Sequence, residues 1–380
     1  MAKPKKVLLI TSGGDCPGLN TVISSFTRHA VERYGFQVIG SRRAYWGILQ
    51  DEPDLVPLYP EMLIDIHGKG GTILGTVNRG DPFHFPVASK EGTSNQDRSD
   101  QLLKKLKVLG FNAVVAIGGD GSQRISLDLF KKKAPIIGVP KTIDNDLKCT
   151  DRTFGYQTAV EIATDAIDKL RTTAQSHNRV MILEVMGRDA GWIALSAGIA
   201  GGADIILIPE IPFAVEKVAE SLERRRYAGR EHGIIVVAEG AKEEGGDAVI
   251  QEKGGGGAMD RLGGIGHRLA ERLKEHIPQE TRVAVLGHLQ RGGAPCAFDR
   301  ILATQFGVAA VELVSQEEWG HMVAYRHPHV ISVPLEEAIA KSNRVEVNGD
   351  LMVAALGLGI DFGADLASQA VTAVAAAAHA

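Results

Sequence analysis

Three short stretches of this sequence concentrate glycine, hydroxyl and carboxylate residues in a way that a tight turn alone does not need. The first is Thr11-Ser12-Gly13-Gly14-Asp15-Cys16-Pro17-Gly18-Leu19-Asn20. Paired glycines let backbone amides approach an anion closely, and Pro17 suits the first turn of a helix. Taken alone, the loop serves equally well as a simple chain reversal. The second, Gly118-Gly119-Asp120-Gly121-Ser122, sets an acid inside a glycine run. A carboxylate among phosphate-holding amides is repulsive unless a cation intervenes, so Asp120 is a natural magnesium ligand beside a nucleotide; its alternative is a helix cap. The third, Pro140-Lys141-Thr142-Ile143-Asp144-Asn145-Asp146, separates two carboxylates by an amide and precedes them with a hydroxyl. One carboxylate can act as base while the other meets magnesium, although an isolated Asx-rich turn would equally cap a helix.

Cations come from the carboxyl half, in His177-Asn178-Arg179, Met186-Gly187-Arg188, Thr281-Arg282 and Gly287-His288-Leu289-Gln290-Arg291-Gly292-Gly293. Bidentate arginine suits a phosphate ester, whereas any one arginine is ordinarily a surface ion-pair partner. A Walker phosphate loop, a dinucleotide fingerprint after a strand, a paired-histidine zinc motif and a nucleophile elbow are all missing from the sequence. The residues by themselves lead to a magnesium-dependent phosphoryl transfer from a nucleotide-like donor to an anionic hydroxyl compound. They leave the acceptor unnamed.

The elements needed to hold these turns are also readable. Short β-branched runs at Val7–Thr11, Ala113–Ile117, Ile136–Val139, Met181–Val185, Ile205–Ile208, Ile234–Ala238 and Val283–Leu286 alternate with segments of helical period. Such alternation predicts an α/β fold, largely parallel sheets between helices. Leu102, Leu103, Leu106 and Leu109 predict a helix that Gly110 stops. Gly40–Leu58 and Gly240–Gly257 read as irregular excursions, and Lys131–Lys133 and Arg224–Arg226 as solvated basic runs at helix ends.

The 380 residues carry 42 Lys+Arg against 46 Asp+Glu, and this near-balance argues against a partner such as nucleic acid. Cys16, Cys149 and Cys296 have no paired spacing, so neither a disulfide framework nor a zinc site is predicted and a reducing cytoplasm fits best. Only Val7–Ile10 follow the basic amino-terminal residues before polar residues resume, too few for a signal peptide. No run approaches the ~20 apolar residues of a membrane span, and the alanine-rich stretch from Leu366 reads as an ordinary helix.

Taken together and in order, the three turns, Met186-Gly187-Arg188 and Gly287–Gly293 closely resemble the 6-phosphofructokinase family, over residues 11 to about 300. The resemblance implies two domains, 1–155 plus 290–344 for the donor and 156–289 plus 345–380 for fructose 6-phosphate, with the active site in the cleft between them. It implies transfer of a phosphoryl group to the 1-hydroxyl of fructose 6-phosphate. Asp144 is then the general base with Thr142 and Asp146 beside it, and Arg188 stabilises the moving phosphoryl group. Gly14, Arg79 and Gly119, Asp120, Gly121 and Ser122 hold the ATP phosphates, with Mg²⁺ on Asp120. Met186, Gly187, Glu239 and Arg291 grip the sugar, while Arg179, Arg282 and His288 surround its 6-phosphate. Because Arg179 and Arg282 reach a neighbouring subunit's site in this family, a homodimer or homotetramer is implied.

Donor choice turns on two positions. Gly121 is similar to the ATP-dependent type, where an aspartate in the pyrophosphate-dependent type would fill the space of the α-phosphate; Lys141 is similar to the pyrophosphate-dependent type. A missing side chain leaves room for a nucleotide whereas a lysine can swing aside, so ATP is the expected donor. For the bacterial effector site, Arg28, Arg171, Arg230 and Asp204 match, while Ser24 replaces a usual arginine. Two other classes are weighed. A catalytically silent sugar-phosphate sensor does not need Asp120, Asp144, Asp146 and Arg188 together, and NAD or lipid kinases share only the Gly118–Gly121 turn.

Overall fold

Val7–Ile10, Ala113–Ile117 and Ile136–Val139 have no polar face, and such strands must be covered on both sides. The computed structural model, which describes residues 4–77, 80–89, 92–253 and 260–366, places all three in one parallel sheet. In chain order the strands are β1 (Lys6–Thr11), β2 (Gln37–Ser41), β3 (Leu55–Leu58), β4 (Phe85–Ser89), β5 (Gly92–Gln96), β6 (Ala113–Gly118), β7 (Ile136–Thr142) and β8 (Phe154–Gly155). Then come β9 (Val180–Val185), β10 (Ile205–Leu207), β11 (Gly233–Ala238), β12 (Ile250–Glu252), β13 (Arg261–Leu262), β14 (Thr281–Val285), β15 (His321–Arg326) and β16 (His329–Pro334). The helices are α1 (Leu19–Tyr34), α2 (Tyr45–Leu49), α3 (Ser99–Val108), α4 (Asp120–Lys131), α5 (Tyr156–His177) and α6 (Trp192–Ala200). They continue as α7 (Val215–Tyr227), α8 (Ile265–Leu273), α9 (Ala297–Gln316), α10 (Leu335–Ala338) and α11 (Asp350–Gly357).

The described residues fall into two compact units, one up to Thr158 plus Arg291–Ser342, the other Ala159–Lys253, Asp260–Gln290 and from Asn343 onward. The first unit's sheet runs β16-β15-β7-β6-β1-β2-β3, with β8 pairing β7. Its centre is parallel, and β3 and β16 add antiparallel edges. Leu8, Ile10, Val114, Ala116 and Ile136 join Leu102 and Leu106 of α3 and Leu127 and Leu129 of α4 in one buried cluster. The alternate residues Val7, Leu9 and Val115 are equally buried on the sheet's opposite face, and α9 packs against β7 and β15. Full burial of one such side chain contributes about 1.5–3 kcal/mol, so this double-sided core is what fixes the strand ends. Gly110, at φ 76°, follows α3 in the left-handed conformation that halts a helix.

Two expected irregular regions are corrected. Gly40–Leu58 holds the end of β2, then α2 and β3, and Pro57 is tolerated because β3 is an edge strand, where a missing N–H costs no ladder bond. Within Gly240–Gly257, Ile250–Glu252 forms β12, paired antiparallel with β13; residues 254–257 lie outside the described residues. The alanine-rich stretch after Leu366 also lies outside them.

The second unit is built on the parallel sheet β10-β11-β9-β14. Val180, Ile182, Ile205, Leu207, Ile235 and Val237 pack with Val218 and Leu222 of α7 and Leu269 and Leu273 of α8. Arg224–Arg226 is not simply solvated. Arg225 Nη1 pairs with Asp204 Oδ1 at 2.7 Å and its Nη2 donates to the carbonyls of Asp204 and Gly359, a partnership across 21 residues that no local pattern announces.

Candidate active site

In the first unit the three expected turns sit at the carboxyl ends of β1, β6 and β7, which are consecutive neighbours in the sheet. Parallel strands lie roughly 4.8 Å apart, so the turns stand side by side where open α/β sheets bind ligands. Gly13 adopts φ 78°, which favours glycine, and a Cβ on Gly14 would come 2.8 Å from Arg291 Nη1, so a side chain there would displace that guanidinium. Gly119 caps α4, whose first residues, Asp120, Gly121 and Ser122, lie at the positive end of the helix. Asp120 pairs with Arg124, Nε to Oδ2 at 2.8 Å. A Cβ on Gly121 would meet nothing within 4 Å. Beside the first turn, where Thr11 Oγ1 donates to the Gly75 carbonyl, lies an open surface depression of about 540 Å³ lined by Arg42, Arg43, Asp54 and Thr72–Gly75. Arg79 lies outside the described residues.

Gln123, which lies outside the sequence motifs, ties two of the turns together. Its buried side chain donates through Nε2 to the carbonyls of Gly118 and Val139, each at 3.0 Å, and of Ala116 at 3.3 Å. The signal available was a glutamine one turn into the helix that follows the Gly118–Ser122 run.

The acid turn is shaped by its middle residue. Asn145 takes the left-handed conformation at φ 52°, which asparagine tolerates because its side chain bonds nearby backbone. Asn145 Oδ1 accepts the Thr153 N–H at 2.9 Å and its Nδ2 donates to the Asp151 carbonyl at 3.3 Å. Thr153 Oγ1 donates to the Thr142 carbonyl at 2.7 Å, and Thr142 Oγ1 accepts the Asp144 N–H at 3.1 Å. Burial, and next the negative charge of Asp144, push the Asp146 carboxyl up to about 7. Its Oδ1 is buried without a hydrogen-bond partner. Asp120 adds to the repulsion that Asp146 feels.

These are hard oxygen donors crowded by like charge, a set that fits Mg²⁺. Among the described residues no three His, Cys, Asp or Glu stand together as a metal cage. Lys141 is 3% exposed and donates to the Gly14 carbonyl, and burial lowers its pKa. It runs beneath the first glycine turn, so the expectation of a lysine free to swing aside is corrected: burial and this bond hold it there. Arg291 Nη1 donates to the Asp15 carbonyl at 3.1 Å, so it is tied to the first of the three turns.

The second unit places Met186–Arg188 and Glu239 at the carboxyl ends of β9 and β11, and Arg179 and Arg282 at the amino ends of β9 and β14. The Met186 N–H donates to Gln290 Oε1 at 2.8 Å, the Glu239 N–H to the Val185 carbonyl at 2.9 Å, and the Gly240 N–H to the Gly187 carbonyl at 3.0 Å. Gly187 sits at φ 139°, and a Cβ on Gly240 would fall 1.9 Å from the Arg188 carbonyl oxygen, so Met186–Arg188 and Glu239–Gly240 form one interlocked pair of loops. Arg188 Nη2 donates to the carbonyl of Asp260. Arg179 and Arg282 both bond the Glu280 carboxylate, a residue the sequence reading had not singled out. His288 is exposed on the single-turn 3₁₀ segment Gly287–Arg291.

The matches to an effector site are engaged within the chain. Arg171 Nη2 donates to the carbonyls of Gly201 and Gly202, and Asp204 holds Arg225 and the Ile234 N–H. Ser24 Oγ donates to the Leu63 carbonyl at 3.2 Å, and Arg28 pairs with Glu32.

Glycine turns at helix starts on parallel strand ends, with an aspartate pair beside them, are parts that an α/β phosphotransferase needs. The family model described as Phosphofructokinase matches residues 6–314. The chain is 49% identical over 368 residues to an ATP-dependent 6-phosphofructokinase of Chloroflexus aurantiacus, covering 96% of this chain and 99% of that one. It is 47% identical over 342 residues to a pyrophosphate–fructose 6-phosphate 1-phosphotransferase of Amycolatopsis methanolica, covering 90% and 96%. A solved Pichia pastoris phosphofructokinase superposes with TM-score 0.77 at 29% identity over 98% of this chain, which spans 38% of that longer one. This chain belongs to the phosphofructokinase family.

Proposed function

We propose that the protein transfers the γ-phosphoryl group of ATP to the 1-hydroxyl of fructose 6-phosphate, releasing fructose 1,6-bisphosphate and ADP. The observation that carries this is the near full-length match to ATP-dependent 6-phosphofructokinase, joined to an acid turn and two glycine turns on neighbouring strand ends. Asp144 accepts the 1-hydroxyl proton as the new O–P bond forms and the bond to the ADP oxygen breaks. Thr142 braces the Asp144 amide, and Asp146 stands beside it. Gly14, Arg79 and Gly119–Ser122 take the donor phosphates, and Arg188 meets the charge on the transferring group. Mg²⁺ would be held by Asp120, where it neutralises charge between the phosphates. Met186, Gly187, Glu239 and Arg291 bind the sugar, and Arg179, Arg282 and His288 its 6-phosphate. On this reading the first unit binds the donor, the second binds fructose 6-phosphate, and the enzyme works in the cytoplasm. Arg179 and Arg282, on and beside the edge strand β14, serve a neighbouring copy in a homodimer or homotetramer, which sedimentation would detect.

Support for ATP comes from Gly121, whose missing side chain leaves open space. A specific observation favours a second reading, a pyrophosphate enzyme: Lys141 is of that type and the Amycolatopsis relative uses that donor. The test is to incubate the protein with fructose 6-phosphate and Mg²⁺, with ATP, ADP or pyrophosphate in separate reactions, and to measure fructose 1,6-bisphosphate. Product with ATP alone supports the first reading, product mainly with pyrophosphate transfers the decision to Lys141, and no product with tight sugar-phosphate binding identifies a sensor.

A further inference from the structure

Glu184 is the penultimate residue of β9, between β11 and β14 and 2% exposed. A buried carboxylate needs a reason, because an unpaired charge in the interior is costly. Its two oxygens divide their work. Oε1 accepts the Gly264 N–H at 2.9 Å and Oε2 the Gly266 N–H at 2.8 Å. Gly264 precedes α8 and supplies no capping side chain, so Glu184 provides from a distant strand the anion that the positive end of the helix calls for. The local sequence Arg261-Leu262-Gly263-Gly264-Ile265-Gly266 is bare where it passes this carboxylate. A Cβ on Gly266 would stand 3.1 Å from Oε2 and one on Gly263 3.4 Å from Oε1.

The same turn begins at Asp260, whose carbonyl accepts from Arg188 Nη2. Arg188 is also four residues beyond Glu184 on the loop that leaves β9. Glu184 therefore holds both segments that meet at the Arg188 guanidinium, the one that carries it and the one that receives it. We infer that Glu184 is a positioning residue for Arg188, acting through the Asp260–Gly264 turn and not on substrate. This rests on the proposed role of Arg188 in phosphoryl transfer. Guanidinium clamps are sensitive to placement, and an error of about 1 Å can cost on the order of 10²-fold in rate.

The experiment compares wild type, Glu184→Gln, Gly266→Ala, Arg188→Lys and the double variant Glu184→Gln/Arg188→Lys for fructose 1,6-bisphosphate formation, with thermal midpoints in parallel. Glu184→Gln keeps one acceptor and loses the charge; Gly266→Ala crowds the carboxylate from the helix side while favouring helix formation. Both are expected to lower kcat by roughly 10- to 10²-fold while the KM for ATP stays within threefold. In the Arg188→Lys background, Glu184→Gln should lower kcat less than threefold further. Multiplicative effects, or a lowered thermal midpoint with wild-type kcat in both single variants, would make Glu184 a helix cap only and overturn the inference. An inactive wild-type protein would instead refute the proposed function.

Discussion

Replacing Gly121 with aspartate isolates the donor question from the fold. Gly121 is the second residue of α4, its built Cβ meets nothing within 4 Å, and its backbone is not left-handed. An acid in the first turn of a helix is favoured by about 0.3–1 kcal/mol, so the variant should fold as well as wild type. The cost falls on the ligand. A carboxylate about 4 Å from an α-phosphate charge, at an effective dielectric near 20, is repelled by about 4 kcal/mol, or roughly 10³-fold, and partial neutralisation by a cation would reduce this to about 10²-fold. Steady-state assays at saturating fructose 6-phosphate should show kcat/KM for ATP falling by about 10²–10³-fold, with pyrophosphate turnover unchanged or raised. An ATP kcat/KM within threefold of wild type, in a variant with an unaltered thermal midpoint, would refute the reasoning.

Asp144→Asn should lower kcat by about 10²–10⁴-fold with KM for fructose 6-phosphate little changed, checked by initial rates. Asn145→Ala leaves the buried Thr153 N–H without its acceptor and should cost about 1–3 kcal/mol in urea unfolding, together with most activity, because the acid turn loses its pin. Glu312 accepts from Tyr34 and His29 at the α1–α9 contact, and those bonds hold its carboxyl below the ordinary 4.5. A depressed carboxyl contributes stability above its ordinary value and loses it as pH falls through the folded one. The thermal midpoint should therefore fall less steeply below pH 4.5 in Glu312→Gln than in wild type.

Much of this architecture is legible because a strand buried on both faces writes a continuous apolar run. β1, β6, β7, β9 and β11 are of this kind, and each was expected within one to three residues of where it lies. β3 and β16 were not, since edge strands carry proline and exposed polar residues that read as loop. The acid turn and the glycine turns were visible because their chemistry is local. Gln123, Glu184 and Glu280 carry little local signal for the opposite reason: what makes each of them matter is a partner brought in by the fold, such as the Val139 carbonyl, the Gly266 amide or the Arg179 guanidinium.

The neighbouring placement of β1, β6 and β7 also bears on how activity should fail on heating. Local opening of a sheet begins at strands with few buried contacts, here β3 and β16, whereas interior strands exchange their amides only when the whole domain opens. The loops proposed to hold the donor phosphates are rooted in that last-to-melt centre. Turnover should rise with temperature until cooperative unfolding begins and then collapse with it, and protection of the β1, β6 and β7 amides in native-state hydrogen exchange should be the greatest in the first unit.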